Sequence, residues 1–231
     1  MNKVIRAEFG RTINAGLIIA IAGIIFSICF DSFNDLIAGL RNGQGYVGYF
    51  FSNAAFGGMC THYMLPVFTA LPFSVSLCQE RNNKAVSYIV SREGKNRYIF
   101  AKFIVSAISG GFVAACGTVL LFLILAMRFP IAGDEFEGAV VSDYFHEWSA
   151  VYYPQLYILT LSILAFCRGV IWSSLALCVS LYTSDFMVVL LSPFLGSYVL
   201  VRIFQIIRVP DMVRPDMILI GQVVIKSSGL T

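Results

Sequence analysis

Charge is what this chain has least of. Only 13% of its 231 residues are Asp, Glu, Lys or Arg, against about 25% in an ordinary soluble domain. Residues that are 58% apolar, gathered in runs that reach the roughly 20 a helix needs to cross a bilayer, describe an all-α integral membrane protein. Histidine is nearly absent: His62 and His146 stand far apart in the sequence, so no histidine metal site is expected. The chain has no GxxxxGK[ST], no HExxH and no GxSxG, so neither nucleotide hydrolysis nor the common metalloprotease and hydrolase chemistries are expected of it. The six cysteines, Cys29, Cys60, Cys78, Cys116, Cys167 and Cys178, show no CxxC or Cys/His spacing and read as free thiols in apolar surroundings. Net charge is only +3, without a basic stripe interleaved with aromatics, so nucleic acid is not an expected partner.

What the chain does have is a series of apolar runs. Met1–Thr12 sets Val4, Ile5 and Phe9 among Lys3, Arg6, Glu8 and Arg11, the pattern of an amphipathic helix lying in the headgroup layer. The next run, Ile13–Phe30, is too long for a signal-peptide core and is followed by Asp31 and Ser32, so it reads as a retained first span. Further spans are expected at 59–78, 98–127, 154–181 and 186–204, giving a polytopic bundle of five, or six if one lies beyond Thr231. The aromatic, Gly-rich stretch from Asp31 to Gly58 fits an interfacial loop or half-buried helix. Pro66 and Pro72 should kink the second span, and inside a membrane the carbonyls so freed need a partner from neighbouring helices. Ser106, Ser109, Gly110, Gly111, Ala114, Ala115 and Gly117 mark a face of the third span suited to close helix contact. The Thr183–Asp185 turn is short enough to join the last two spans as a hairpin.

Charge placement sets orientation. Lys3, Arg6 and Arg11 precede the first span and six basic residues lie in the 80–102 segment that leads from the second into the third, so the N-terminus and that connection are expected in the cytoplasm. The 128–153 loop, with Asp134, Glu135, Glu137, Asp143 and Glu147, is expected outside. Arg202, Arg208 and Arg214, at and beyond the end of the last span, run against the rule.

The connection itself is the most specific stretch. In ERNNKAVSYIVSREGKNRYIFAK, residues 80–102, Val86, Tyr88, Ile89 and Val90 interrupt a basic sequence, as in a short helix lying on the membrane surface. Read alone, it is either a docking element or a solvated loop that sets topology. Its order resembles the coupling helix between spans two and three of permease subunits of type-two ABC exporters, in the antibiotic-peptide (lantibiotic) export and immunity branch. There an acid leaves span two and a pattern like NGTIKNILSxGxSRxKYxxSK follows. Glu80 takes the place of the acid, and Asn83, Lys84, Ala85, Val86, Ile89, Ser91, Gly94, Arg97, Tyr98 and Lys102 fall on or near comparable positions. The branch usually has glycine at Lys84, threonine at Ala85 and serine at Asn96, and the family normally has six spans.

The resemblance implies a permease without a nucleotide site of its own, working beside a second permease subunit, identical or related. ABC ATPase subunits binding ATP and magnesium would dock on 80–97, with Glu80, Lys84, Arg92, Lys95 and Arg97 as its charged groups and Tyr88, Ile89 and Val90 as an apolar tip. It implies a multi-pass protein of the bacterial plasma membrane, in contact with lipid, exporting an antimicrobial peptide or another amphipathic compound. The alternatives are a membrane component of an ATP-driven importer and a non-transporting scaffold. An intramembrane enzyme needs paired His, Glu, Asp or Ser groups at membrane depth, which the spans do not supply. Arg168, in the middle of the fourth span, should face the protein interior, since an arginine facing lipid costs about 2.5–3.5 kcal/mol. It either lines a translocation path or binds backbone carbonyls or a carboxylate.

Overall fold

The computed structural model describes residues 9–10, 15–42, 47, 50, 58–72, 76–83, 85–130, 153–208 and 214. Among them the chain is all-helical, with helices α1 (Ala15–Asp31), α2 (Phe33–Asn42), α3 (Met59–Ala70), α4 (Ser76–Asn82), α5 (Ala85–Glu93), α6 (Lys95–Ala126), α7 (Pro154–Ser180) and α8 (Phe186–Ile207). Most of the N-terminal 1–12 segment, the acidic loop from residue 131 to 152 and the run Met217–Ile225 lie outside the described residues.

Among the described residues three helices are long and apolar enough to cross a membrane: α6, α7 from Ile158, and α8. A fourth is reached if α1 and α2, bent by 71° at Ser32, are taken as one broken span. This is a multi-pass membrane protein with three to four candidate spans. The bend has a chemical basis. α1 buries Ala20, Ile24, Ser27 and Ile28 on one face, whereas α2 leaves Phe33, Ile37 and Leu40 exposed at i, i+4 and i+7, the stripe of a helix lying flat in an interface.

The run 59–78, expected as one kinked span, is divided. α3 ends at a turn over Leu71 and Pro72, and α4 begins at Ser76. Leu71, the residue before Pro72, still has helical backbone, with φ of −62° and ψ of −40°, and α3, at 12 residues, is about 18 Å long, too short to cross alone. Pro66 is accommodated inside α3.

α6 is the centre of the bundle: 56% of its most apolar window is buried, against 22% for α8. Its Val113, Ala114, Leu121, Phe122 and Leu125 meet Ala20, Ile24 and Ile28 of α1 and Leu65 of α3 in the largest apolar cluster. The small-residue face of α6 is where α7 approaches. A Cβ on Gly169 would lie 2.4 Å from the Gly110 carbonyl oxygen, and one on Gly110 would lie 2.4 Å from the Ser173 Cβ. Such contact between backbones is how helices gain packing in lipid, where the apolar effect between them is weak. α8 buries one stripe, Val189, Pro193, Ser197 and Val201, four residues apart. Its N-terminus is capped by Asp185, whose carboxylate accepts from Met187 N at 2.9 Å, so Thr183–Asp185 turns the chain from α7 into α8.

Candidate functional site

The connection between α4 and α6 is built around a carboxylate that is mostly withdrawn from solvent. Glu80 lies on α4, and its Oε1 accepts from Lys102 Nζ at 2.8 Å while its Oε2 accepts from the Tyr98 hydroxyl. Lys102 is 1% exposed and Tyr98 2%. Tyr98 and Lys102 are one helical turn apart on α6, so both reach the same carboxylate from one face. A lysine withdrawn this far from water is tolerable only when paired, and Glu80 supplies the charge. The result is a clamp that ties the end of α4 to the start of α6.

Between the clamped helices runs α5, nine residues long. Val86, Ile89 and Val90, at i, i+3 and i+4, pack against Leu77 of α4, Tyr98 of α6 and Leu177 of α7. Tyr88 points the other way and is 79% exposed. Of the apolar tip expected of Tyr88, Ile89 and Val90, Tyr88 projects, while Ile89 and Val90 are half-buried and pack toward the body. A helix this short has only one face to offer each side, and the 3.6-residue period separates neighbours in sequence. The free face continues through Ser91, Lys95, Asn96 and Arg97, all exposed. Lys84 and the side chain of Arg92 lie outside the described residues.

Gly94 joins α5 to α6 with φ of +84° and ψ of 140°. Only glycine adopts this backbone without strain. Its amide donates to Val90 O at 2.9 Å and its carbonyl accepts from Tyr98 N at 3.1 Å, so the corner is hydrogen-bonded on both sides.

The same end of α4 grips the α7–α8 turn. Arg81 donates from one nitrogen to the carbonyls of Ser180 and Leu181, both at 3.0 Å, and the Asn82 amide reaches Ser184 O at 3.4 Å. A cation at a helix C-terminus meets carbonyls that have no partner within the helix. α4 is therefore tied to α6 by Glu80 and to α7 by Arg81.

Arg168 is 7% exposed, inside the bundle as its position in α7 requires. Its guanidinium donates to the carbonyls of Thr61 at 3.1 Å and His62 at 3.0 Å, on α3. In an α-helix the His62 carbonyl would accept from residue 66, but that residue is proline. The freed carbonyl and the interior arginine thus answer each other. Of the two roles open to Arg168, these contacts are the backbone-binding one.

The N-terminal turn of α3 is held by Asp31, which sequence reasoning left unused. Its carboxylate accepts from Cys60 N at 3.1 Å and Thr61 N at 2.5 Å, capping a helix whose own N-cap, Gly58, has no side chain to do so. The Thr61 peptide is then bound by a carboxylate through its N–H and by a guanidinium through its carbonyl. No local signal marks this in the sequence, because Asp31 and Thr61 are 30 residues apart on different helices. Arg81 likewise looked like one more basic residue of the connection. Among the described residues no group of three or more His, Cys, Asp or Glu is placed to hold a metal ion. Compared with known proteins, the chain matches no family model, no curated protein and no solved structure.

Proposed function

We propose that the chain is the membrane-spanning permease subunit of an ATP-driven ABC exporter, and that α5 is the element on which a partner ATPase acts. The observation that carries this reading is the arrangement around Glu80: a short helix with Tyr88 exposed, anchored on its other face and clamped at its base to α6 through Lys102 and Tyr98. A loop that only set topology has no need of a buried ion pair at its root. Motion imposed on α5 passes into α6 through Gly94 and the clamp, and into α7 through Arg81, as a mechanical coupling device requires.

In this reading the permease has five spans, with α1 the first and α3 and α4 together forming a broken second, and the N-terminus and α5 face the cytoplasm. It pairs with a second permease subunit. ATP and magnesium are bound by the ATPase, and the cargo is an antimicrobial peptide or another amphipathic compound, as the resemblance of the connection implies. The test is gentle detergent extraction from the native cell, affinity capture of this chain and mass spectrometry of what stays bound. A co-purifying P-loop ATPase is expected. Capture of the chain without one, under conditions that keep known membrane complexes whole, sinks the transporter reading and leaves α5 as a topology element.

A further inference from the structure

A cleft of about 660 Å³ opens where α5, α6 and the end of α7 meet. Its walls are mostly apolar, including Val86, Val90, Ile99, Phe103 and Leu177, with three cations, Arg81, Lys95 and Lys102, and, among the described residues, no acid in the lining. Lys102 is neutralised by Glu80. Arg81 caps carbonyls of α7 but keeps its charge, and Lys95 is exposed at the first position of α6. The lining therefore carries two cations beyond those matched by Glu80. Phe103 and Leu181, both in the wall, are 43% and 44% exposed, so the cleft faces outward from the bundle. Its depth in the bilayer follows from α6: Lys95 starts a 32-residue helix of about 48 Å, longer than the roughly 30 Å hydrocarbon layer, so its first turns stand at headgroup level.

We infer that this cleft binds one anionic phospholipid from the leaflet on the Lys95 side. The headgroup phosphate lies between Arg81 and Lys95, and the upper acyl chains lie along Val90, Ile99 and Phe103. Charge complementarity chooses the occupant, because a zwitterionic lipid brings a cation of its own to a cleft that already holds two unmatched ones. Basic pockets between membrane helices take anionic headgroups for this reason. The volume falls within the roughly 300–1,000 Å³ of small-ligand clefts. It holds a headgroup and the start of the tails, whose remainder leaves past Phe103 into the bilayer. Lys95 and Arg97 also place cations in the first turn of α6, where the helix dipole disfavours them. A bound anion offsets that. The site does not depend on the transport reading, since it needs only the membrane and the described residues.

The experiment is native mass spectrometry of the intact chain, delipidated in detergent and titrated with dioleoylphosphatidylglycerol or dioleoylphosphatidylcholine. The wild type should retain one phosphatidylglycerol with a preference over phosphatidylcholine of about fivefold or more, the weight of a single charge at an anionic headgroup. Lys95→Glu, which improves the first turn of α6 and so leaves the fold in place, should abolish the preference, and Lys95→Arg should keep it. Arg128→Glu, an exposed cation at the other end of the described α6 segment, should leave it unchanged. No preference in the wild type, an undiminished one in Lys95→Glu, or an equal loss in Arg128→Glu would overturn the assignment.

Discussion

Arg168 binds the carbonyl that Pro66 sets free. Its guanidinium lies 3.0 Å from the His62 oxygen, four residues before the proline, and 3.1 Å from the Thr61 oxygen. Each residue alone is costly in a membrane helix: a proline leaves an unpaired acceptor and an arginine brings an unpaired cation. Together each supplies what the other lacks.

That reciprocity predicts a rescue. Arg168→Met should lower stability by about 1–3 kcal/mol, the cost of leaving a buried acceptor unpaired, read as a fall in the thermal midpoint in detergent. Pro66→Ala restores an amide to the His62 carbonyl, so adding it to Arg168→Met should recover about 1 kcal/mol. Arg168→Lys should be destabilising too, because an ammonium does not reproduce the reach and planar fork of a guanidinium. A stable Arg168→Lys or Arg168→Met chain would show that the carbonyl contacts do not hold the bundle together.

Much of this was legible in the sequence, but only as separate halves. Pro66 called for a donor from a neighbouring helix, and Arg168 called for an interior position. Nothing in the sequence joined residues 106 apart. Helical period reports which face of a helix is buried and says nothing of which helix covers it. The same holds at the clamp, where Glu80 and Lys102 stood in the text of one motif and their pairing required α4 and α6 to be brought side by side. Spans α6, α7 and α8 were legible because apolar length is a direct membrane signal. The division of 59–78 was not, because Pro66 and Pro72 look alike in the sequence, whereas only Pro66 has Arg168 at its freed carbonyl.

The clamp predicts coupling between its two charges. Lys102→Met takes the ammonium from the Glu80 carboxylate, and Glu80→Gln takes the carboxylate charge from a buried ammonium. Each should cost about 3–5 kcal/mol, the range for breaking a buried pair from one side. The double variant should cost less than the sum by at least 1 kcal/mol, since neither charge is then stranded. Strict additivity in chemical or thermal unfolding would mean that the two groups do not depend on each other.

Tyr88 and Ile89 adjoin in sequence but should behave oppositely. Tyr88 is 79% exposed, so Tyr88→Asp should leave the thermal midpoint within about a degree, a surface change being worth ±0.5 kcal/mol or less. On the proposed exporter reading, it should weaken attachment of the partner ATPase about tenfold or more if Tyr88 is an aromatic anchor. Ile89→Asp puts a charge into the contact with Leu77, Tyr98 and Leu177 and should destabilise the α5 region itself. The check is to measure both variants for pull-down yield and for proteolysis within 85–93. Cleavage in Tyr88→Asp, or full attachment with it, would remove Tyr88 from the partner face.

Gly169 and Gly196 offer a contrast within one bundle. A Cβ on Gly169 would lie 2.4 Å from the Gly110 carbonyl oxygen and 2.9 Å from the Gly111 Cα, both backbone atoms that cannot turn aside. Gly169→Ala must therefore push α6 and α7 apart along their whole crossing, at a cost of about 1–3 kcal/mol for overpacking. The neighbouring Arg168 would be drawn away from α3 by the same shift, so the loss should reach the upper end of that range. On α8 a Cβ on Gly196 meets only side-chain atoms, Trp172 at 3.3 Å and Leu175 at 3.4 Å. Gly196→Ala should be nearly neutral or gain up to about 1 kcal/mol, because alanine loses less backbone entropy than glycine on forming a helix. Parallel thermal melts of the two alanine variants decide the matter. Equal midpoints would mean that the α6–α7 backbone contact can open at no cost, and that the small-residue face does not set the distance at which Arg168 reaches His62.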